Sequence, residues 1–295
     1  MPPVQPPMTA AETALRGRAI LLMIAAILCF SLMDASVKGL APRTGVVPAL
    51  WVRYAGQMLL VVLLVAPRLR QVARTTMPGL QFARSVLLMG ATAFFFTALS
   101  LIPISDAAAL MSINPVLVTL GAALFLGEKL GPRRIGGIAV AMVGTMIVIR
   151  PGAGIITAES IFALCAAVCY ASYVLLTRHV GSSESPWTSL FYTGLVGTVI
   201  LSIIVPFFWV TPDRTAILLM GACILFGTCG QMLLIRAFTI GEAAMLAPFA
   251  YCGVMFSMLW GMVFYAEWPG IHTITGALVI AGAGTYVWYR ETHAR

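Results

Sequence analysis

The sequence predicts an all-α membrane protein, with ten transmembrane helices forming two inverted five-helix repeats around a central cavity. Three observations predict it. Of 295 residues, 60% are hydrophobic and 9% charged, and mean hydropathy is +0.98. Soluble domains carry about 25% charged residues, so lipid is the solvent for most of this chain. The apolar residues fall into ten runs of roughly 20, the length needed to cross a ~30 Å hydrocarbon core. Finally, SDAAALMSINP from Ser105 is echoed by GEAAMLAPFAY from Gly241.

The elements follow in order. Residues 1–18 open with MPPVQPPMTAAETAL, proline-rich and without an apolar face, and are expected to be a disordered tail. Arg16 and Arg18 precede a run too long for a signal peptide and without a clear cleavage site, so an uncleaved first span is expected. Pro, Gly and charge punctuate the chain into spans at 19–38, 46–66, 79–101, 105–126, 133–150, 157–178, 187–208, 215–237, 242–265 and 270–289. Residues 290–295 form a second tail. Helices are required because lipid offers backbone groups no partners, and nothing alternates like the strands of a barrel.

Orientation follows from Lys and Arg. With ten spans both ends lie on one side. That side holds Arg16, Arg18, Arg68, Arg70, Arg74, Arg84, Lys129, Arg133, Arg134, Arg178, Arg236, Arg290 and Arg295. The other holds Lys38, Arg43, Arg150 and Arg214, while Arg53 falls inside the second span. The excess predicts cytoplasmic termini in a bacterial-type inner membrane. It also accounts for the net charge of +8 without a nucleic-acid partner.

The echo extends along the chain. At an offset of 136, Trp51 lands on Trp187, Ile104 on Ile240 and Asp106 on Glu242; at 140, Phe30 lands on Tyr170 and Lys38 on Arg178. A four-residue gap after the first span reconciles the two. The domains are therefore 19–150 and 157–289. Five is odd, so the second copy enters the membrane from the opposite side. Two inverted halves of nearly equal energy can open a shared cavity to either face, a plan common in secondary transporters.

Charged residues inside spans are candidates by default. Asp34 and Lys38 lie four apart on the first span, spaced for an ion pair, with Arg53 as a second partner for Asp34. They are expected to act as a gate, to contact substrate, or to be a structural pair. Asp106 and Glu242 open spans 4 and 9, where a carboxylate suits the helix dipole and Ser105 can cap. Arg84 and Arg236 are expected to anchor the cytoplasmic boundary, and Glu128 and Glu267 to be solvated in loops. Midway along the spans the candidates are polar or aromatic. Asn114 precedes a kink-prone Pro115, Gln231 is an amide that needs a partner or a cavity, and Tyr170, Tyr173, Phe95, Tyr251 and Trp260 offer flat faces. Packing is the competing role for each aromatic. Small-residue faces, Gly137/Ala141/Gly144 and Ala277/Ala281/Gly284, suit close contact between spans 5 and 10 or, alternatively, a dimer. A monomer is expected.

Six cysteines in apolar segments lack metal-ligand spacing, three histidines sit in loops or the tail, and no P-loop occurs. These absences argue against metal, cofactor, ATP and enzymatic chemistry.

With ALSLIPISDAAALMSINPVLVTLGAALFLGEKL across spans 3 and 4 and RIGGIAVAMVGTMIVI in span 5, the chain resembles the EamA family of the drug/metabolite transporter superfamily over about residues 17–290. The resemblance implies a cavity lined mainly by spans 1, 3, 4, 6, 8 and 9. Members export amino acids, among them YddG-type aromatic amino acid exporters, or drugs; others take up S-adenosylmethionine or riboflavin. Glu128 and Glu267 match the family's acidic position at span ends. The expected function is export of small organic metabolites by alternating access, amino acids including aromatic ones first. The alternatives are uptake of S-adenosylmethionine or riboflavin and, from another class, a membrane scaffold or sensor without flux.

Overall fold

A computed structural model describes residues 10–114, 116–118, 120–121, 136, 139–140, 142–144, 146–147, 158–180, 184–240, 249 and 252–293. The regular elements are helices α1 (Ala10–Thr44), α2 (Val46–Val65), α3 (Pro78–Leu101), α4 (Ile104–Met111), α5 (Ala158–Val180), α6 (Pro186–Ile204), α7 (Arg214–Ile240), α8 (Cys252–Tyr265) and α9 (Ile271–His293). A short helical segment, Ala66–Val72, prolongs α2. Among the described residues there is no strand.

Six helical segments are long and apolar enough to cross a membrane: Gly17–Thr44, Val46–Val72, Pro78–Leu101, Glu159–Thr177, Pro186–Phe207 and Arg214–Leu234. Ile104–Val118, Cys252–Tyr265 and Ile271–Ala283 are shorter apolar helices. Most of the expected span 133–150 lies outside the described residues, as do Pro115, Glu128, Glu242 and Tyr251.

Two boundaries differ from expectation. Helix α1 begins at Ala10, so residues 10–18, expected to be unstructured, form its first turns. The run AAETALRGR is rich in strong helix formers, and the prolines all precede it. Likewise α9 continues to His293, through most of the expected C-terminal tail. Gly45 alone separates α1 from α2. Its φ of +83° is open to glycine at no steric cost, and its N–H bonds back to the Ala41 carbonyl at 2.8 Å.

Nearly every helix is apolar all round, so side-chain size decides which face packs inward. On α5 the inward face is Ala163, Ala166, Ala167 and Ala171; on α1 it includes Ala19, Ala26 and Ala35. Small residues let backbones approach where hydrophobicity gives no preference between protein and lipid. Leu21, Leu218, Met255 and Phe207 point outward. In water such a surface would be an aggregation liability; in a bilayer it is the solvated face.

The principal packing pairs are α1–α7, α3–α5 and α2–α6, followed by α3–α6, α1–α8, α2–α7, α4–α8, α1–α3 and α4–α5. These pairs have an order. Exchanging α1 with α5, α2 with α6, α3 with α7 and α4 with α8 turns α1–α7 into α3–α5, α3–α6 into α2–α7, and α1–α8 into α4–α5. The pairs α2–α6 and α4–α8 map onto themselves, whereas α1–α3 has no counterpart of similar extent in α5–α7. At the α2–α6 crossing a Cβ on Gly197 would sit 2.4 Å from the Tyr54 ring, so glycine is what lets these helices meet. Gly144 lies against the backbone of α9 at Gly276 and Ile280, which makes that small-residue position an internal contact.

Outside the membrane-length segments, Glu184 ties the α5–α6 connection to the α2–α3 connection. Its Oε1 accepts from the Thr76 N–H (2.7 Å), the Thr75 hydroxyl (2.8 Å) and the Thr76 hydroxyl (2.9 Å). Partial burial pushes its pKa up, but these donors outweigh it and hold the carboxyl below its ordinary value. A depressed carboxylate contributes stability above its unfolded pKa, and that stability is lost as pH falls through the folded value. Thermal stability of the wild type should therefore drop as pH falls below the ordinary glutamate value of about 4.5. In Glu184→Gln the drop should be smaller over the same window; identical pH profiles would show that the tie carries no charge-linked stability.

Candidate functional site

Three residues of α1 at helical spacing, Ser31, Ala35 and Lys38, face α8 and the turn after it. Positions i, i+4 and i+7 share a face. Trp260 Nε1 donates to Ser31 Oγ at 2.9 Å, the Tyr265 hydroxyl donates to the Ala35 carbonyl, and Lys38 Nζ pairs with Glu267 Oε1 at 2.8 Å. Lys38 also donates to the carbonyls of Leu99 (3.2 Å) and Ile102 (2.8 Å) and lies 5.8 Å from the centre of the Tyr265 ring. Glu267 Oε2 accepts the N–H of Ile104 at 3.1 Å.

The electrostatics of this knot are polar along two helix axes. The ammonium sits at the C-terminus of α3, where carbonyls are left without intrahelical donors; the carboxylate sits at the N-terminus of α4, where N–H groups are left over. Glu267 is presented by a backbone reversal at Ala266, whose φ is +53°. That conformation costs a non-glycine residue roughly 1 kcal/mol or more. It persists because both ends are tied: the Glu267 N–H returns to the Gly261 carbonyl at 2.9 Å, and its side chain is held as above.

Expectations change at three points here, the first being that Glu267, expected to be solvated in a loop, is ion-paired and 23% exposed. The ion-pair partner of Lys38 is Glu267, not Asp34. A charge across the interface next to two carbonyls offers more than a carboxylate one turn back on the same helix. Ser105 makes no cap; α4 starts after Pro103 with no side-chain cap from its own chain segment, and Glu267 supplies the acceptor. Asp106 does lie in the first turn of α4, and it accepts from the Thr273 hydroxyl of α9 at 2.5 Å.

Deeper in the bundle, Arg53 lies seven residues into α2, about 10 Å along its axis at ~1.5 Å per residue. Its Nη1 donates to Thr92 Oγ1 at 2.8 Å, and its guanidinium lies 5.4 Å from the Tyr54 ring centre and 5.7 Å from that of Phe96. Tyr54 shares the same Thr92 hydroxyl at 3.1 Å. Arg53 Nε is buried with no acceptor. Asp34, the other charged candidate on this helix pair, lies ten residues before the end of α1. The two are not within ion-pairing distance, since the pairs among the described residues are Lys38–Glu267 and an exposed Arg43–Asp213.

Tyr170 and Tyr173 of α5 have ring centroids 5.8 Å apart, and Tyr170 feels the Arg53 charge. Beyond them lies a group that the sequence had suggested was a boundary anchor. Arg84 is 2% exposed, in the interior of the bundle. Its Nη1 donates to the Tyr173 and Thr177 hydroxyls at 3.4 Å, its Nη2 to Thr193 Oγ1 at 2.9 Å and to the Ser189 carbonyl, and it stacks 5.3 Å from the Tyr173 ring centre. Arg236, by contrast, is exposed. The interior thus holds two guanidinium groups, Arg53, expected within a span, and Arg84, expected at the boundary.

The remaining candidates are more scattered. Phe95 packs against the main core. Asn114 lies past the end of α4, donates weakly to Met111 Sδ at 3.8 Å, and leaves its Oδ1 buried without a donor. Gln231 is half-buried on α7. Trp260 belongs to the α1–α8 contacts, and Tyr251 lies outside the described residues. A groove of about 290 Å³, lined by Arg18, Leu22, Arg236 and Ile240, opens at the far end of α1 from Lys38. None of the candidates lines it.

Sequence comparison identifies the company this site keeps. A pseudopaline exporter of Pseudomonas aeruginosa is 29% identical over 275 residues, 90% of this chain and 93% of that one. A riboflavin transporter of Brucella anthropi is 27% identical, covering 92% of this chain and 98% of its own length. An S-adenosylmethionine uptake transporter of Rickettsia bellii is 25% identical over 75% of this chain and 76% of its own. A crystal structure at 21% identity superposes with a TM-score of 0.61 over 91% of this chain and 96% of that one, which shows a shared fold. The EamA-like transporter family matches twice, at residues 17–150 and 157–289, one match to each half of the bundle. With both halves matched and these relatives transporters throughout, the chain belongs to the EamA-like transporter family, as a multi-pass membrane transporter and not an enzyme.

Proposed function

We propose that the protein is a secondary transporter of the inner membrane that exports small organic metabolites, amino acids including aromatic ones foremost, by alternating access between two inverted five-span repeats. The observation that carries this reading is the α1–α8 latch. It joins the two family repeats at one end of the bundle, through Trp260–Ser31, Tyr265–Ala35 and Glu267–Lys38, while half-buried charged and aromatic groups remain further in. A structure closed at one end and polar at its middle is what alternating access requires of one of its two states. The exchange symmetry of the helix contacts supports the inverted repeat, and the Lys and Arg distribution supports cytoplasmic termini, placing the latch on the outer side.

The flat rings of Tyr170 and Tyr173 and the opposed charges of Asp34 and Arg53 favour amino acids, and a relative named as an exporter favours the direction. The transporter works as a monomer on this reading. Purified protein in proteoliposomes, loaded with labelled amino acids, riboflavin or S-adenosylmethionine, tests it. Counterflow of amino acids is expected; flux of riboflavin or S-adenosylmethionine alone would reassign the cargo, and no flux across the panel would leave a scaffold or sensor.

A further inference from the structure

We propose that the groove between α1 and α7 binds an anionic phospholipid, its phosphate held between Arg18 and Arg236 and an acyl chain laid against Leu22 and Ile240. The site depends on the membrane character of the chain and on no particular cargo.

Helices α1 and α7 form a principal packing pair, and they belong to different family repeats. Two contacts set their register. Arg43 Nη1 pairs with Asp213 Oδ2 at 2.5 Å, and a Cβ on Gly230 would lie 3.1 Å from the Ala26 carbonyl oxygen. Both fit one antiparallel alignment, which sets position 238 opposite Arg18. Arg236 then stands two residues from that level, roughly 3 Å along the axis at ~1.5 Å per residue. The helix pair is closed by opposite charges at one end and carries two like charges at the other.

A groove of about 290 Å³ opens at the end with like charges, lined by Arg18, Leu22, Arg236 and Ile240. On each helix the arginine and the aliphatic residue lie four apart, on one face. Both arginines are exposed, and neither has an ion pair or a hydrogen bond among the described residues. The helix dipole does not account for them, since Arg236 lies short of the last turn of α7 and Arg18 eight residues into α1. Two guanidinium groups on one groove repel each other. A phosphate between them removes that cost and takes donors from both.

Depth and shape decide the source of the phosphate. The membrane-length segment of α1 begins at Gly17 and that of α7 ends at Leu234. The groove therefore sits where hydrocarbon gives way to headgroups, in the leaflet that is cytoplasmic in the orientation proposed above. Its apolar walls are fixed, because Leu22 and Ile240 pack on the buried cluster around Met23 and Ala237. A single turn of helix, ~10 Å across with a ~5.4 Å pitch, exceeds the volume of the groove; a phosphodiester with its glycerol does not. The charges select an anion, the walls select hydrocarbon, and a lipid supplies both in one molecule. By joining α1 to α7 it holds this end of the two repeats together. Each arginine near an anionic surface adds about fivefold to binding, so the pair should favour an anionic over a zwitterionic headgroup roughly 25-fold.

Native mass spectrometry of the purified full chain in neutral detergent tests this. Three probes are titrated: phosphatidylglycerol, phosphatidylcholine with the same acyl chains, and glycerol 3-phosphate. Wild type is expected to bind phosphatidylglycerol at least tenfold more tightly than either of the others, and to gain unfolding temperature from it. Arg18→Gln and Arg236→Gln should each cut that preference at least fivefold, and the double variant should bring the two lipids near parity. A control removes two charges from another groove, of about 400 Å³, lined by Pro67, Arg68, Arg70, Gln71 and Arg74 and without an aliphatic wall. Arg68→Gln combined with Arg70→Gln should leave the preference within twofold of wild type. Equal affinity of wild type for the two lipids overturns the inference, as does a loss in the control as large as in the groove double variant. Glycerol 3-phosphate binding as tightly as the lipid overturns it as well, leaving a site for free anions. No cargo flux enters the readout, so none of these results bears on the transporter reading.

Discussion

Glu267→Gln is expected to open the latched end of the transporter, the outer end in the orientation proposed above, and to do so more than any other single change in the latch. The substitution keeps size and one acceptor for the Ile104 N–H but removes the charge that faces Lys38. Lys38 is then left against two carbonyls with no counterion, only 12% exposed. Breaking a buried pair by removing one partner costs roughly 3–5 kcal/mol. Part of this is recovered by water entry, which leaves about 2–3 kcal/mol, or a 30- to 150-fold shift in the ratio of closed to open states. Cys223 reports on it. It is fully buried in the closed arrangement. In a background with Cys223 as the sole cysteine, Glu267→Gln should allow an impermeant maleimide to label it from outside, where the parent does not react.

The charge-swapped double variant, Lys38→Glu with Glu267→Lys, sharpens the test. A simple ion pair would be restored by reversal. This one should not be, because the swap sets a carboxylate against the carbonyls of Leu99 and Ile102 and an ammonium against the Ile104 N–H. The double variant should label at least as fast as Glu267→Gln. Restoration of the unlabelled state would show that the helix ends contribute nothing and that the latch is an ordinary ion pair.

The sequence made the bundle legible and the latch illegible, for the same reason. The all-helical class, the membrane-length apolar helices and the two family repeats depend on composition and pattern along the chain, quantities summed over many residues. Lys38 and Glu267 are 229 positions apart, and no local pattern connects a lysine of the first span with an acid after the ninth. Local spacing pointed instead to Asp34, four residues away. Arg84 was misplaced for a related reason. Six residues into α3, it sits where a snorkelling arginine would sit, and only the helices packed over it, α5 and α6, turn the boundary into an interior. The one signal available was its neighbour Gln81, a second polar residue one turn back on the same face, also fully buried. Of the aromatic candidates, Tyr170 and Tyr173 meet each other while Trp260 serves the latch, a division that ring chemistry alone does not contain.

Arg84 carries the second large effect, and two substitutions separate what it does. It bridges α3 to α5 through Tyr173 and Thr177, and α3 to α6 through Ser189 and Thr193. It therefore binds one family repeat to the other. Arg84→Ala removes those ties and leaves a void where one of the largest fully buried side chains stood. About 3–5 kcal/mol should be lost, visible as a large drop in unfolding temperature and in the yield of folded protein.

Arg84→Met behaves differently. It refills most of the volume and removes a charge whose partners are all neutral, and exchanges of a buried charge for an apolar side chain of similar size are often neutral or stabilising. Unfolding temperature should return close to the wild-type value. Flux should not, because the Tyr173 hydroxyl loses the guanidinium that holds it, and the ring next to Tyr170 is free to turn. A stable Arg84→Met protein with tenfold lower uptake at limiting cargo, and a smaller loss at saturation, identifies Arg84 as the residue that positions the tyrosine face. Wild-type flux in that variant would confine Arg84 to holding the repeats together and move the cargo surface away from Tyr173.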